Sequence, residues 1–205
     1  PRERGTRTAR VFMGVQLGCA QCHDHPFDEW TQREFWGLAA YFAQLSTGGE
    51  QPGMGAANVV DLNEGSVTLP GSEEIIEPQP LVQAGVSGLN LGTRRQQLSL
   101  WLTAPENPFL ARATVNRDWS LLMGRGFIEP MDDMRSLDMA SHPELLKELS
   151  EYFIGTGYDV RDLISTIAMT RAYSRSTLHP AGEIPEASYA AMLPKPQTER
   201  QLAKS

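Results

Sequence analysis

Asn107-Pro108-Phe109-Leu110-Ala111-Arg112-Ala113-Thr114-Val115-Asn116-Arg117-Asp118-Trp119-Ser120-Leu121-Leu122-Met123-Gly124 contains a start signal, a periodic body and a stop. Asn before Pro is a helix-initiating pair, because Pro at the first helical position gives up an N–H that has no partner there anyway. Gly124 and Gly126 end the run. The spacing predicts a helix from Pro108 to Met123. Arg112, Asn116, Trp119 and Met123 fall at i, i+4, i+7 and i+11 and share one face. A buried Arg and Asn need partners, and Asp132 or Asp133 is expected to offer a carboxylate to Arg112 or Arg117. A role in holding haem propionates or a sugar competes here with a structural ion pair, and the structural reading is preferred.

Working outward, Arg94–Thr103 is a further helical stretch, and Ser141-His142-Pro143-Glu144 has the S-x-x-E form of a capping box. The helix behind it is expected to bury Leu145, Leu149, Tyr152 and Phe153, with His142 initiating it. Asp159 is placed to cap another, with Val160, Leu163, Ile164, Ile167 and Ala168 on one face. Toward the N-terminus, residues 6–18 fit a short helix. Asp28 is placed to cap a helix through about Leu45, its stripe made of Phe35, Leu38, Ala39, Phe42 and Leu45. Between them, residues 46–92 are crowded with Gly and Pro, which leaves room only for short strands at Val59-Val60 and Val67-Thr68-Leu69 and one hairpin. The expected fold class is mainly α. Its parts are a helical N-terminal segment over 1–45, an irregular Gly/Pro-rich middle over 46–93 and a C-terminal helical bundle over 94–205.

The chain has 205 residues, and its 25 acidic side chains against 18 basic ones give a net charge of −7. That balance argues against a surface built to grip nucleic acid. No stretch approaches the roughly 18 apolar residues of a membrane span. The start at Pro1-Arg2-Glu3-Arg4 and the end at Leu202-Ala203-Lys204-Ser205 both read as cuts through a longer polypeptide.

The two cysteines stand at Cys19-Ala20-Gln21-Cys22-His23. This is the C-x-x-C-H form of covalent haem attachment: two thiols about one turn apart add to the two vinyl groups of one haem, and the adjacent imidazole meets the iron. In this reading Cys19, Cys22 and His23 hold haem c, with His23 the proximal ligand. Three alternatives stay open. The pair can be a redox dithiol, although no βαβ context frames it. It can be a structural disulfide. Or Cys19, Cys22, His23 and His25 can hold zinc, at the cost of crowding four ligands into seven residues. Met54, in Pro52-Gly53-Met54-Gly55, suits a ligand reaching over a haem face, and His142 is a further candidate. His25 is too close in sequence to reach the opposite side of the ring. Asp24, His25, Asp28 and Trp30 make a polar cluster in which Asp28 either orients an imidazole or merely caps a helix. No nucleophile stands beside a base in a recognisable pattern, so the residues assign no reaction.

Phe12-Met13-Gly14-Val15-Gln16-Leu17-Gly18-Cys19-Ala20-Gln21-Cys22-His23-Asp24-His25-Pro26-Phe27-Asp28-Glu29-Trp30 resembles the cytochrome-like domain of large planctomycete surface and periplasmic proteins. The later run through Trp101, Asn107-Pro108-Phe109, Arg112, Val115-Asn116-Arg117, Trp119, Gly124-Arg125-Gly126, Glu129-Pro130, Asp132-Asp133 and Ser141-His142-Pro143-Glu144 is similar to the C-terminal domain of unknown function in the same proteins. The resemblance covers about residues 8–45 and 94–205, in the family's order. It departs from the pattern at Asp118, where the family has an apolar residue, and at Leu122-Met123. The resemblance implies an exported, periplasmic or cell-surface protein concerned with redox chemistry or polysaccharides. Its partners would be a redox protein or other domains of the same longer chain.

Overall fold

The computed structural model describes residues 1–47, 59–62, 64–82, 92–180, 182 and 185–194. Met54 lies outside the described residues. The chain is mainly helical and divides into two compact units, Pro1–Leu110 and Ala111–Ser205.

In the first unit, α1 (Arg2–Thr8) continues into one π-helical turn, Ala9–Met13, and stops at Gly14, whose φ of 66° is left-handed and suits a residue without Cβ. The helix expected over 6–18 is therefore shifted toward the N-terminus. Ala9 and Met13 form its buried edge, Val11 and Phe12 are each 48% exposed, and Val15 and Leu17 are buried beyond its end. A 3-10 turn, Gly18–Gln21, leads to α2 (Gln32–Ala40). Thr31, not Asp28, caps α2: Thr31 Oγ1 accepts the Glu34 N–H, and the Glu34 carboxylate accepts the Thr31 N–H at 2.8 Å. This is a capping box. Helix α2 ends at Ala40, and Leu45 belongs to a strand. Its buried face, with Phe35, Leu38 and Ala39, packs on α1. At Gly5 a Cβ would stand 3.3 Å from the Ala39 Cα, so the two helices meet there almost backbone to backbone.

The Gly/Pro-rich middle contributes two antiparallel pairs rather than one hairpin. β1 (Leu45–Thr47) pairs with β2 (Val59–Asp61), Ser46 opposite Val60, and β3 (Val67–Thr68) pairs with β4 (Ile75–Ile76), Val67 opposite Ile76. α3 (Arg94–Leu102), capped by Thr93 and Gln96, adds Leu98, Trp101 and Leu102 to this first core. The Trp101 Nε1–H donates to the Val82 carbonyl at 3.2 Å.

In the second unit, α4 (Leu110–Met123) supplies Val115, Asn116, Trp119 and Met123. It begins at Leu110 rather than at the expected Pro108, and Asn107 Oδ1 accepts the N–H groups of Phe109 and Leu110. α5 (Pro143–Gly155) buries Leu146, Ser150 and Phe153, a register one residue from that expected; Leu145 and Leu149 are half-buried and Tyr152 is exposed. Its N-cap is His142, with no side-chain cap bond, so S-x-x-E makes no capping box. The reason is positional: Pro143 takes the first helical place, which leaves Ser141 one residue too early. α6 (Val160–Ala168) is capped as expected, Asp159 Oδ1 accepting from Arg161 and Asp162 N–H at 2.9 and 3.1 Å. Only Leu163 and Ile167 of its apolar face are buried.

Asn116 is fully buried and grips one residue twice: Nδ2 donates to the Ile128 carbonyl and Oδ1 accepts the Ile128 N–H, both at 3.0 Å. A Cβ at Gly126 would stand 2.9 Å from Asn116 Oδ1, so only glycine permits this approach. Replacing Asn116 by Ala leaves both Ile128 backbone groups unpaired in the core. The expected loss of stability is about 2–4 kcal/mol in urea denaturation followed by circular dichroism, and a loss below about 1 kcal/mol contradicts this role.

Burial pushes the Tyr41 phenol from 10.0 up to about 12. The folded state thus holds the proton more tightly than the unfolded chain. Its contribution is complete below pH 10 and is lost as pH rises to about 12. The urea midpoint should fall across that window, and Tyr41→Phe should flatten the fall; an unchanged profile in the variant contradicts this assignment.

Candidate functional site

The cysteine motif sits on the 3-10 turn and the loop that joins it to α2. Ala20 points inward and is fully buried, which turns the flanking Cys19 and Cys22 outward as exposed free thiols. The Cys22 N–H donates to the Cys19 carbonyl at 3.4 Å, so the two side chains leave from one turn. Two donors from α2 hold the turn: Trp36 Nε1–H and Gln32 Nε2–H reach the Gln21 carbonyl at 3.1 and 3.3 Å. Gln32 and Trp36 are four apart and share a helix face. They were not singled out in the sequence, although their i, i+4 spacing directly after the motif is the signal that marks them.

The two histidines of the motif are in opposite hydrogen-bonding states. His23 is exposed and its Nδ1 lies 2.7 Å from the Asp24 carbonyl oxygen. A carbonyl only accepts, so Nδ1 carries a proton, and in the neutral ring Nε2 is left with its lone pair. His25 Nδ1 instead accepts the Phe27 N–H at 3.3 Å, which places the proton of the neutral ring on Nε2. His25 is tied again through its backbone N–H to the Trp30 carbonyl at 2.7 Å. His23 is therefore ready to coordinate through Nε2 and His25 is not. Asp24 Oδ1 accepts the Gln32 N–H at 2.8 Å. Asp28 Oδ1 accepts the Glu29 N–H at 2.8 Å. Phe27, 78% exposed, lies edge-on to His25. Trp30 is half-buried against Phe109, with ring centroids 6.3 Å apart.

For a covalently attached haem, the donor set fits at the points of attachment: two free thiols on one turn and an imidazole whose Nδ1 is held by a carbonyl, the usual second bond of a metal-binding histidine. For the zinc alternative, the residues do not converge. Among the described residues no group of three or more His, Cys, Asp or Glu side chains is placed to hold a metal ion.

The stripe on α4 has a structural use. Asn116 takes backbone partners rather than a carboxylate. Trp119 stacks on Phe127 with centroids 4.4 Å apart, and Tyr189 meets Trp119 edge-on at 5.3 Å. The Tyr189 hydroxyl donates to the Gly126 carbonyl at 2.7 Å, and Glu129 Oε1 accepts the Gly126 N–H, also at 2.7 Å. Burial pushes the Tyr189 phenol up. Asp133 pairs with Arg135 at 2.9 Å, not with Arg112, and Asp132 is half-buried in the same turn. Arg112 is half-buried, and desolvation lowers its pKa. His142 belongs to the aromatic group, its ring 5.4 Å from Tyr189 and its Nδ1 3.3 Å from Ser141 Oγ. Burial raises the Asp118 carboxyl against the opposing pull of Arg117, and its Oδ2 has no hydrogen-bond partner among the described residues.

Two family models match the chain, both described as proteins of unknown function. PSCyt2 (DUF1549) matches residues 1–47, which hold the cysteine motif, and PSD1 (DUF1553) matches residues 94–204. No curated protein and no solved structure matches. The second match begins at Arg94, at the start of α3, whereas the compact units divide after Leu110, because α3 packs into the first core. As the match over 94–204 takes in more than half of the 205 residues, the chain belongs to the PSD1 family of proteins of unknown function, DUF1553.

Proposed function

We propose that Cys19, Cys22 and His23 form a covalent haem-attachment site and that the chain serves electron transfer in an exported compartment. The observation that carries this reading is the pairing of two exposed thiols on one turn with an adjacent imidazole whose Nδ1 is held by Asp24. When bound there, haem c would supply one-electron redox chemistry.

The chain's own residues have separable tasks. Cys19 and Cys22 would hold the haem through two thioethers, and His23 would hold its iron through Nε2. Trp36 and Gln32 hold the Gln21 carbonyl, so the turn keeps its shape while both thiols face outward. An oxidising compartment suits this chemistry, since two neighbouring free thiols there become a disulfide unless something captures them. The redox partner would be another protein or another domain of a longer chain. No described helix is long and apolar enough to cross a membrane. The net charge of −7 favours a partner with a basic surface.

The test is production in a host that attaches haem to exported proteins. The expected result is a mass gain of one haem that survives denaturation, together with a Soret band; both disappear in Cys19→Ser/Cys22→Ser while the helical circular dichroism is kept. Three results overturn the reading: a colourless product made under these conditions, an intact Cys19–Cys22 disulfide with no haem, or stoichiometric zinc.

A further inference from the structure

Asp24 meets the motif and helix α2 at once. Its carbonyl oxygen lies 2.7 Å from His23 Nδ1, and its carboxylate Oδ1 accepts the N–H of Gln32, the first residue of α2, at 2.8 Å. That N–H is one of the donors a helix leaves without an internal partner, and the N-terminal end of the helix carries partial positive charge. A carboxylate there makes a charge-assisted bond. The helix end therefore holds the carboxylate, the carboxylate holds the Asp24 residue in place, and the Asp24 carbonyl holds the imidazole. The turn on the other side of Cys22 has its own support, since Gln21 is held by the side chains of Trp36 and Gln32.

We propose that Asp24 is the positioning residue of His23, fixing the ring as the Nδ1–H tautomer with Nε2 bare and directed outward. A free histidine side chain favours the opposite tautomer, with its proton on Nε2, so the motif inverts an intrinsic preference. The use of that bare Nε2 rests on the haem-attachment reading, whereas the tautomer itself can be measured without any haem. The sequence pattern pairs His23 with Asp24 as neighbours. Only the fold shows that the Asp24 side chain turns away from the imidazole and reaches it through its own backbone.

The test is two-bond proton–nitrogen correlation on the full chain, labelled with nitrogen-15 in histidine and kept reduced, at about pH 8, above the ordinary imidazole range. A His23→Gln variant assigns the signals among the four histidines. The wild type should show His23 with a protonated Nδ1 and a bare Nε2. Asp24→Asn keeps an oxygen acceptor for the Gln32 N–H and should retain that state. Asp24→Ala removes it and should move the tautomer ratio several-fold toward Nε2–H with circular dichroism unchanged. A wild-type His23 carrying its proton on Nε2 overturns the proposal whatever the variants do, as does a folded Asp24→Ala chain with the wild-type tautomer. A chain that takes up no haem but shows the fixed tautomer refutes the attachment site and supports the role of Asp24. Haem uptake by a chain whose His23 tautomer ignores Asp24 does the reverse.

Discussion

Irregular backbone packed against an apolar core must still find partners for its N–H and C=O groups, and in this protein side chains, most of them from helices, supply them. The Gln21 carbonyl takes Trp36 and Gln32. The Ala40 and Gly65 carbonyls take Arg94, the Leu45 carbonyl takes Arg4, and the Val82 carbonyl takes Trp101. In the second unit Asn116 serves both backbone groups of Ile128, while Glu129 and Tyr189 serve the N–H and C=O of Gly126. The two short strand pairs among the described residues cannot satisfy such groups through sheet ladders. Two of the polar residues that mark the family resemblance in the second unit, Asn116 and Glu129, are accounted for in this way, as fixings for loops.

The cysteine motif follows the same constraint with a different result. The backbone around Cys19–His23 is anchored by Trp36, Gln32 and Asp24, so none of the motif's own reactive groups is spent on structure. The thiols are free and exposed, and His23 uses only Nδ1. The neighbouring residues behave otherwise: His25 is tied through both its ring and its backbone, and Asp28 turns back onto the Glu29 amide. This separates residues available for chemistry from residues that merely share their stretch of sequence. The polar stripe of α4 fails the same criterion, because its one fully buried polar member, Asn116, is fully occupied.

Much of the fold was legible in the residues. The helix after Asp159 begins where capping chemistry placed it, the helical stretch at Arg94 begins as its pattern indicated, α4 starts at Leu110 rather than Pro108, and Gly124 stops α4 after Met123. The misreadings share a cause: several residues were eligible for one local role, and packing chose among them. Thr31 rather than Asp28 caps α2, because Glu34 completes the box with Thr31. On α5 the apolar residues Leu145, Leu146, Leu149, Tyr152 and Phe153 leave more than one register open, and the second core selects the face with Leu146 and Phe153. The strands at Val59 and Val67 stand where the residues placed them, whereas their partners were hidden: Leu45 also fitted the helical stripe before it, and the two-residue strand Ile75–Ile76 carries no periodicity to read.

The sequence by itself determined the helical class, the starts of α3 and α6 and the grouping of both thiols with an imidazole, since each depends on residues within about one turn of one another. Tertiary structure alone decided which of the two motif histidines keeps a bare Nε2, that Asp24 holds His23 through its backbone rather than its carboxylate, and that Asn116 belongs to Ile128. It also assigned α3 to the first core, apart from the rest of the PSD1-matched segment. The physical reason is the same in each case. A hydrogen-bonding group has several acceptable partners in sequence, and only the folded chain brings one of them to within about 3 Å at a usable angle.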